Sequence, residues 1–313
     1  STSLLIYHRN DESTDSEVFE KTLMQQNLTE AIGMVENPLR NLTFGLSAFP
    51  SSSSPSFTRS SPTTLNSTTT STTFELLFTT AAAQTASLTD FFNLLASVEP
   101  SPSKSSHDAA WSAFWNRSYI KTNISAITDA YDNTRYLQAI QSRGKYPIKF
   151  NGGLFIATQE VEGNQTKGGP DYRDWGCANW WQNERLPYWG MLSSGDVDLM
   201  SNAHFEYYLR MLPLLEHRTE KLMGHAGAFV TETKMVFGLY SSEDYGCTRP
   251  AGYPSWLETN PYIHLDFGGN AGLPEIGLMV LDAYDVTQNA TLLSRYLPLI
   301  NSTLSFFLHH YPT

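Results

Sequence analysis

The chain has little of what would cross-link it covalently or give it a basic surface. Only two of its 313 residues are cysteine, and 20 lysines and arginines stand against 31 aspartates and glutamates, for a formal net charge of −11. An acidic chain is poorly suited to bind nucleic acid or an anionic membrane. No apolar run approaches the roughly 18 residues that a membrane helix requires. We therefore expect neither a nucleic-acid partner nor a membrane span.

Motifs for metals, phosphates and nucleotides are also missing. There is no HExxH pair, and two cysteines about 70 residues apart do not have the spacing of a zinc site. No Gly-x-Ser-x-Gly, P-loop or dinucleotide fingerprint occurs. The opening STSLLIYHRN lacks a methionine, a basic region and a cleavage site. We expect no metal and no cofactor, and we expect the chain to be a segment of a longer protein.

What the chain does contain points to an oxidising, extracellular compartment. Residues 51–73 hold 17 serines and threonines, which is typical of an O-glycosylated or disordered segment. Cys177 and Cys247 either form one disulfide, as we expect in that compartment, or remain two buried thiols. Eight N-x-[ST] sequons predict N-glycosylation. They lie at Asn27, Asn41, Asn66, Asn116, Asn123, Asn164, Asn289 and Asn301.

The pattern along the chain predicts a mainly α fold with a β portion. Residues 1–85 are expected to form a partial β-rich domain, with strands near 4–8, 41–49 and 73–80 and a glycosylated or disordered loop at 50–73. An amphipathic helix containing Phe19, Leu23 and Met24 interrupts it. From about residue 86 to 313 the apolar period becomes 3.6, with no βαβ rhythm, which predicts a stack of helical hairpins.

Seven helices follow from this period. The face near residue 88 contains Leu88, Phe91, Phe92, Leu95 and Val98, and the next contains Trp111, Phe114 and Trp115. Helices are also expected near 175–192, 199–222, 272–286 and 290–310. The helix that follows Trp115 should bury Ile127, Tyr131, Tyr136, Leu137 and Ile140. The last two helices should bury Leu273, Ile276, Val280 and Tyr284, and Leu293, Leu297, Ile300, Leu304 and Phe307.

The stretch at residues 171–200 is the most unusual in composition. It holds four of the seven tryptophans, at Trp175, Trp180, Trp181 and Trp189, beside amides, acids and Arg185. Sugar rings stack on aromatic faces and pair their hydroxyls with carboxylates, amides and guanidinium groups. This mixture predicts a carbohydrate cleft, and an aromatic-rich helix that packs its own neighbours is an equal interpretation.

Several ordered blocks of residues resemble one known group of enzymes. The blocks are YHRNDES (residues 7–13), HDAAWSAFWNRSYI (107–120), RGKYPIKFNGGLF (143–155), WWQNERLPYWGMLSSGD (180–196), GHAGAF (224–229) and the hairpin at 273–307. Together they resemble the six-hairpin (α/α)6-toroid glycosidases, nearest to the α-L-fucosidase family (glycoside hydrolase family 95) and related uncharacterised bacterial proteins. The resemblance implies an incomplete toroid of helical hairpins, preceded by part of a β-sandwich-like domain.

The resemblance also implies a reaction and a division of roles. Such fucosidases invert the anomeric centre, with a carboxylic acid that protonates the leaving oxygen and asparagines, helped by an aspartate, that activate a water. Asn183 matches the second of the two family asparagines, and Trp181 occupies the position of the first. The family acid and the aspartate are expected beyond Thr313. Because a complete toroid needs more helices than this chain predicts, further chain or identical subunits are expected to complete the fold.

The carboxylate candidates for catalysis within the chain each have a purely structural interpretation as well. Besides Asn183, the catalytic candidates are Glu184, Glu232 and Glu275, chosen among carboxylates that also include Asp174 and Asp266. Glu184 next to Arg185 equally suits a surface ion pair, Glu232 an ordinary loop carboxylate and Glu275 a helix-dipole contact.

The substrate-binding candidates are mainly aromatic and basic. They are Trp180, Trp181, Arg185, Trp189, His225 and His264. A single histidine is more often bonded to a backbone group than to a ligand.

Three functions follow as hypotheses. The chain is a secreted glycoside hydrolase, inverting if active, whose partner is carbohydrate. Alternatively it is a non-catalytic glycan-binding relative, or an extracellular structural glycoprotein that serves as a coat or filament subunit and carries N-glycans and O-glycans. A Trp181→Ala variant that loses oligosaccharide binding would favour the first two, and self-association would favour the third.

Overall fold

The computed structural model describes residues 3–10, 17–98, 103–148, 160–162, 165–167, 179–231, 233–239 and 272–311. Within these residues the fold is mixed, with helices predominating over small antiparallel sheets, as the sequence pattern predicts. The chain divides into two compact units, which are described separately. Unit 1 comprises Ser1–Phe19 and Asn37–Ala113, and unit 2 comprises Glu20–Glu36 and Phe114–Thr313. These bounds differ from the predicted boundary after residue 85.

Unit 1 is built on a three-stranded antiparallel sheet. Its strands are β1 (Leu4–Arg9), β2 (Leu42–Pro50) and β5 (Leu76–Gln84), in the order β1-β2-β5. The helix α2 (Leu88–Ser97) covers one face, and a capping box of Ser87 and Asp90 begins this helix. Gly45 lets α2 approach, because a Cβ there would come within 3.0 Å of the Phe91 ring. The predicted strands and the buried Phe91 and Leu95 are confirmed.

The serine- and threonine-rich segment is not a structureless loop. Phe57–Ser61 (β3) and Thr64–Ser67 (β4) pair as an antiparallel hairpin. The β-branched threonines favour strand geometry, and alternating side chains leave most of the hairpin exposed. The expectation of a disordered loop over 50–73 was therefore wrong for these strands, whereas glycosylation of the segment stays a prediction.

Unit 2 is helical. After part of α1 (Glu17–Gln25) and of α3 (Lys104–Arg117), its helices are α4 (Ser125–Gln141), α5 (Trp181–Ser194), α6 (Val197–Met200), α7 (Glu206–Met223), α8 (Gly272–Thr287) and α9 (Ala290–His310). A π-helical segment, Ser201–Phe205, joins α6 to α7. Short strand pairs are β6 (Glu160–Glu162) with β7 (Gln165–Lys167), and β8 (Asn179–Trp180) with β9 (Thr233–Lys234). In the part of the chain that is described, no helix has the length and apolarity needed to cross a membrane.

The predicted helix bounds agree with the structure better than the predicted buried faces do. The α8 and α9 bounds lie within two residues of the prediction, and Leu273, Ile276 and Val280 are buried as expected. The predicted buried face of α9 is wrong. Its buried residues are Tyr296, Leu299, Ser302, Thr303 and Phe306, whereas Leu297 and Leu304 are exposed. This helix has two apolar faces, and a period of 3.6 does not say which of them meets the core.

Two further burial predictions are wrong. In α4, Ile127 and Tyr136 are exposed, whereas Arg135 and Gln138 are buried. The buried face of α4 is polar because Arg135 pairs with Asp196, with Nη2 2.9 Å from Oδ1. In α1, Phe19 and Leu23 are buried as predicted, but Met24 is exposed.

Candidate functional site

The helix α5 carries most of the predicted site residues and has two unlike faces. Trp181, Glu184, Tyr188 and Met191 face the core, whereas Gln182, Leu186 and Ser193 are exposed. The helix ends where Gly195 takes a left-handed φ of +74° and its N–H bonds back to the last turn. Pro187 leaves α5 continuous, and its carbonyl accepts the Gln138 amide at 2.9 Å.

A carboxylate from α8 gathers three of the predicted side chains of α5. Trp181 Nε1 donates to Glu275 Oε2 at 2.8 Å, and Trp189 Nε1 donates to Oε1 at 2.9 Å. Arg185 Nη1 lies 2.9 Å from Oε2 and 3.2 Å from Oε1. Two bonds therefore reach each oxygen, which fills the acceptor positions of an ionised carboxylate. We call Glu275, Trp181, Arg185 and Trp189 the Glu275 cluster.

The Glu275 cluster fixes the orientation of one partly exposed indole. Trp189 and Arg185 are each half-buried, whereas Trp181 is fully buried. The bond from Trp189 Nε1 to Glu275 holds the polar edge of its ring against α8. Gln182 and Leu186 lie on the same exposed face of α5 as Trp189. An aromatic surface beside an amide and a guanidinium group is thus presented to solvent.

Behind this face lies a buried ionic network around Glu184. Lys234 Nζ donates to Glu184 Oε2 at 2.8 Å, and the Tyr208 hydroxyl donates to Oε1 at 2.9 Å. His204 Nδ1 lies 3.5 Å from the same Oε1. All four side chains are fully buried. Pairing of β8 with β9 positions Lys234, because Asn179 and Lys234 are register partners just before α5 begins.

The protonation state of Glu184 follows from these contacts. Burial alone raises the pKa of Glu184, but the charge of Lys234 and the proximity of His204 outweigh it and bring the pKa to about 2. Burial lowers the pKa of His204, which favours its neutral form. Glu184 is thus ionised at neutral pH, fully buried and paired.

His204 stands at the centre of an aromatic stack that sequence reasoning missed. Its ring is parallel to Tyr188, with centroids 3.9 Å apart, and to Trp181, with centroids 5.5 Å apart. It belongs to the π-helical segment Ser201–Phe205, and such segments occur often at functional sites. Neither ring nitrogen has a hydrogen-bond partner among the described residues. No sequence motif indicated His204, because the rings that stack on it come from another helix.

A second cluster that the sequence did not predict surrounds Asp196, just after the C-terminal end of α5. Arg135 donates from Nε to Asp196 Oδ2 at 3.0 Å and from Nη2 to Oδ1 at 2.9 Å. Arg117 and Ser194 also bond to Asp196. The arginines come from α3 and α4, so this carboxylate ties these two helices to the turn after α5. Asp196 lies at the end of the WWQNERLPYWGMLSSGD block, but spacing alone did not indicate its partners.

The remaining predicted residues lie apart from this cluster. Asn183 is half-buried on α5, and Trp180 is buried in β8. His225 lines a groove of about 740 Å³ between α7 and α9, together with Glu216, Glu220 and Asn301. His225 donates from Nδ1 to the Ala226 carbonyl at 2.9 Å, and its Nε2 lies 2.8 Å from His310 Nδ1. The Glu275 cluster and His225 are therefore separate features.

Some predictions fall outside the described residues. They are Glu232 and His264, the weighed carboxylates Asp174 and Asp266, the cysteines Cys177 and Cys247, and the sequon at Asn164. Of the other sequon asparagines, Asn27, Asn66, Asn116, Asn123, Asn289 and Asn301 are exposed, and Asn41 is half-buried. Within the described ranges, no three histidine, cysteine or acidic side chains are arranged to hold a metal ion.

Comparison with known proteins bears on the other end of the chain. Residues 1–120 match the family DUF5703_N, which is described as a domain of unknown function. No curated protein matches the chain. The match covers β1–β5 and α1–α3 and ends before the Glu275 cluster. The function of that cluster is therefore argued from its own geometry.

Proposed function

We propose that this protein binds carbohydrate on the exposed face of α5, with the Trp189 indole as the stacking surface. The observation that carries the proposal is the bond from Trp189 Nε1 to Glu275, which fixes a partly exposed ring before any ligand arrives. Preorganised aromatic side chains bind with little loss of conformational entropy. Gln182 and Arg185, on the same helix as the ring, carry donors for sugar hydroxyls.

The described carboxylates support binding better than hydrolysis. A general acid must hold a proton and reach the glycosidic oxygen. Glu184 is ionised and fully buried, and Glu275 already accepts from three protein side chains. We therefore assign no proton transfer to either residue. The proposal is a glycan-binding protein on an (α/α)-toroid-like, glycosidase-like scaffold that works outside the cell.

The stacking residue in this proposal is Trp189 and not Trp181. The Trp181 ring is fully buried, with His204 stacked on it, so it offers no face to a ligand. Loss of binding in a Trp181→Ala variant would report damage to the core. The informative substitution is Trp189→Ala, because the Trp189 ring is only partly buried and the helix can keep its packing through Tyr188 and Met191.

A glycan array tests the proposal. We expect the purified chain to retain a subset of neutral oligosaccharides, and the Trp189→Ala variant to lose them. Trp111→Ala is the matched control, because Trp111 is also a half-buried tryptophan but lies on α3. Absence of retention by the parent chain, or equal retention by Trp189→Ala and the parent, would sink the proposal.

One observation favours a second function, that of a structural glycoprotein. The β3–β4 hairpin presents exposed serines and threonines on both strands, and most described sequon asparagines are exposed. Such a surface suits dense glycosylation. Intact-mass measurement on the natural protein, before and after deglycosylation, tests this function. An unmodified mass would exclude it.

A further inference from the structure

The carboxyl ends of α7 and α9 meet at a pair of half-buried histidines. His225 follows Gly224, which ends α7 with a left-handed φ of +76°, and His310 lies in the last turn of α9. The two rings face each other, with His225 Nε2 2.8 Å from His310 Nδ1. Spacing along the chain does not reveal the pair, because 85 positions separate the two residues.

The backbone fixes the tautomer of His225. Its Nδ1 lies 2.9 Å from the Ala226 carbonyl oxygen, which can only accept, so Nδ1 carries a proton. In the neutral ring the lone pair is then on Nε2, the nitrogen that faces His310. Histidines that ligate metals have this arrangement, in which one nitrogen donates to a carbonyl and the other is directed at the ion.

The ring planes of the pair converge on the space between the two nitrogens. They are inclined at 57°, with centroids 5.1 Å apart. The lone pair of an imidazole nitrogen lies in the ring plane, so two inclined rings can share one ion. His309 is arranged differently, because its ring is nearly parallel to His225 at 16° and its Nδ1 donates to the Ser305 carbonyl at 2.6 Å. The site therefore has two imidazole ligands.

The surroundings of the pair favour a cation. Two helices, α7 and α9, end here, and each carboxyl end carries about half a negative charge. Glu216 and Glu220 line the groove that contains His225. Among the described residues, no lysine or arginine lines that groove. The local charge thus suits a positive ion and disfavours an anion.

We propose that His225 and His310 bind one divalent transition-metal cation of the zinc, copper and nickel class, which ties the loop after α7 to the end of α9. Imidazole nitrogens suit these ions, whereas magnesium and calcium prefer oxygen ligands. Water completes the coordination, since two protein ligands fill half of a tetrahedral shell. Such a site should have a dissociation constant in about the micromolar range.

The ion takes the place of the proton between the two nitrogens. In the metal-free protein the 2.8 Å distance is that of a hydrogen bond. Two zinc–nitrogen bonds of about 2.0–2.1 Å at a tetrahedral angle place their nitrogens about 3.3 Å apart. Binding therefore releases the shared proton to solvent and separates the rings by about 0.5 Å. The His310 ring can move this far, because it lies parallel to Phe306, with centroids 5.0 Å apart, and can slide along that face.

Calorimetric titration of zinc chloride into the untagged full chain tests the site. We expect one ion per chain, and His225→Ala and His310→Gln should each weaken binding about tenfold or more. The His310→Gln side chain can still bond to His225 but is a poor zinc ligand. His107→Ala, which removes an exposed histidine of α3, is the matched control and should bind as the parent does.

Circular dichroism establishes that each variant folds. A parent that binds no Zn²⁺ would overturn the proposal. So would a folded His225→Ala variant with unchanged affinity, or an equal loss in His107→Ala, which would indicate adventitious binding to exposed histidines.

Two further measurements separate a metal site from a structural hydrogen bond. Zn²⁺ at about 100 times its dissociation constant should raise the melting temperature of the parent and leave that of His310→Gln unchanged. X-ray absorption of the zinc complex should show nitrogen and oxygen neighbours at about 2.0–2.1 Å. Sulfur neighbours at about 2.3 Å would place the ion on Cys177 and Cys247 and contradict this site.

Discussion

Glu184 and Lys234 meet 2.8 Å apart, and neither side chain has any exposed surface. The carboxylate comes from α5 and the ammonium from β9, so the pair joins the face that carries the Glu275 cluster to the strand beside it. Burial makes this pair sensitive to the loss of either partner, because the remaining charge has no water to solvate it.

Lys234→Ala should destabilise the protein by about 3–5 kcal/mol, since it leaves the Glu184 carboxylate buried and unpaired. Replacing both partners, as Glu184→Leu/Lys234→Met, should cost less than the single change. Urea unfolding followed by tryptophan fluorescence measures this. The exposed pair of Lys221 and Glu30 is the control, and Lys221→Ala should change stability little. Equal effects of Lys234→Ala and Lys221→Ala would contradict the buried pair.

Acid should destabilise the protein in two stages. Burial lowers the pKa of His204 below its ordinary 6.5, so the unfolded chain binds the extra proton and stability falls as pH drops below about 6.5. The pKa of Glu184 is lowered from 4.5 to about 2, so its contribution is present above pH 4.5 and is lost between 4.5 and 2. This second loss should amount to about 3 kcal/mol.

Unfolding free energies measured between pH 7 and pH 3 check both stages. A Glu184→Gln variant should be less stable at pH 7 and show a shallower fall below pH 4.5. A His204→Phe variant should lack the first stage if its ring still stacks on Tyr188. Parallel pH profiles of the variants and the parent would show that these groups do not control acid stability.

Gly227 should tolerate no side chain. Its φ is +101°, and a Cβ built there would lie 2.1 Å from the Phe306 backbone nitrogen. Gly227→Ala should therefore cost about 3 kcal/mol or more, from strain and from displacement of α9. Gly224 has a φ of +76° with no atom within 4 Å of such a Cβ, so Gly224→Ala should cost only about 1 kcal/mol. Thermal melts of the two variants compare a steric clash with backbone strain alone, and similar melting temperatures would contradict the prediction.

Arg135 should matter more than Arg117, although both contact Asp196. Arg135 is buried and bonds both carboxylate oxygens, and its guanidinium carbon lies 4.2 Å from the Phe114 ring centroid. Arg135→Ala should cost about 3–5 kcal/mol, and Arg135→Lys should restore little, because an ammonium cannot bond both oxygens in the same way. Arg117 is one-third exposed, so Arg117→Ala should cost about 1 kcal/mol. Denaturant titration of the three variants checks this order.

Local pattern anticipated the elements better than their partners. The α8 and α9 bounds and the three strands of the unit 1 sheet follow from apolar period and turn residues. From composition, the sequence predicted Trp181, Arg185 and Trp189 as site residues and Glu275 as a separate candidate on another helix. It did not predict that all three side chains bond to Glu275. Spacing within one helix carries no information about the residue that packs against it from 90 positions away.

The burial predictions that were wrong and the residues that were not predicted have the same origin. Arg135 and His204 are polar, so a hydrophobic pattern assigns them to the surface, yet each is buried because a distant residue satisfies or covers it. On α9 both faces are apolar, and the choice of Phe306 over Leu304 for the core depends on the loop that contains Gly227. These outcomes are set by tertiary contacts, which the local sequence does not contain.

The most direct test of the central claim is calorimetric titration of the best array oligosaccharide into the parent, Trp189→Phe and Trp189→Ala. Trp189→Phe keeps an aromatic face but loses the bond to Glu275, so we expect weaker binding with a measurable affinity. Trp189→Ala should lose about 1 kcal/mol or more, which is about fivefold or more in affinity. This order, with Trp111→Ala unchanged, is the result that carbohydrate binding on α5 predicts. Equal affinity in the parent and Trp189→Ala would contradict it.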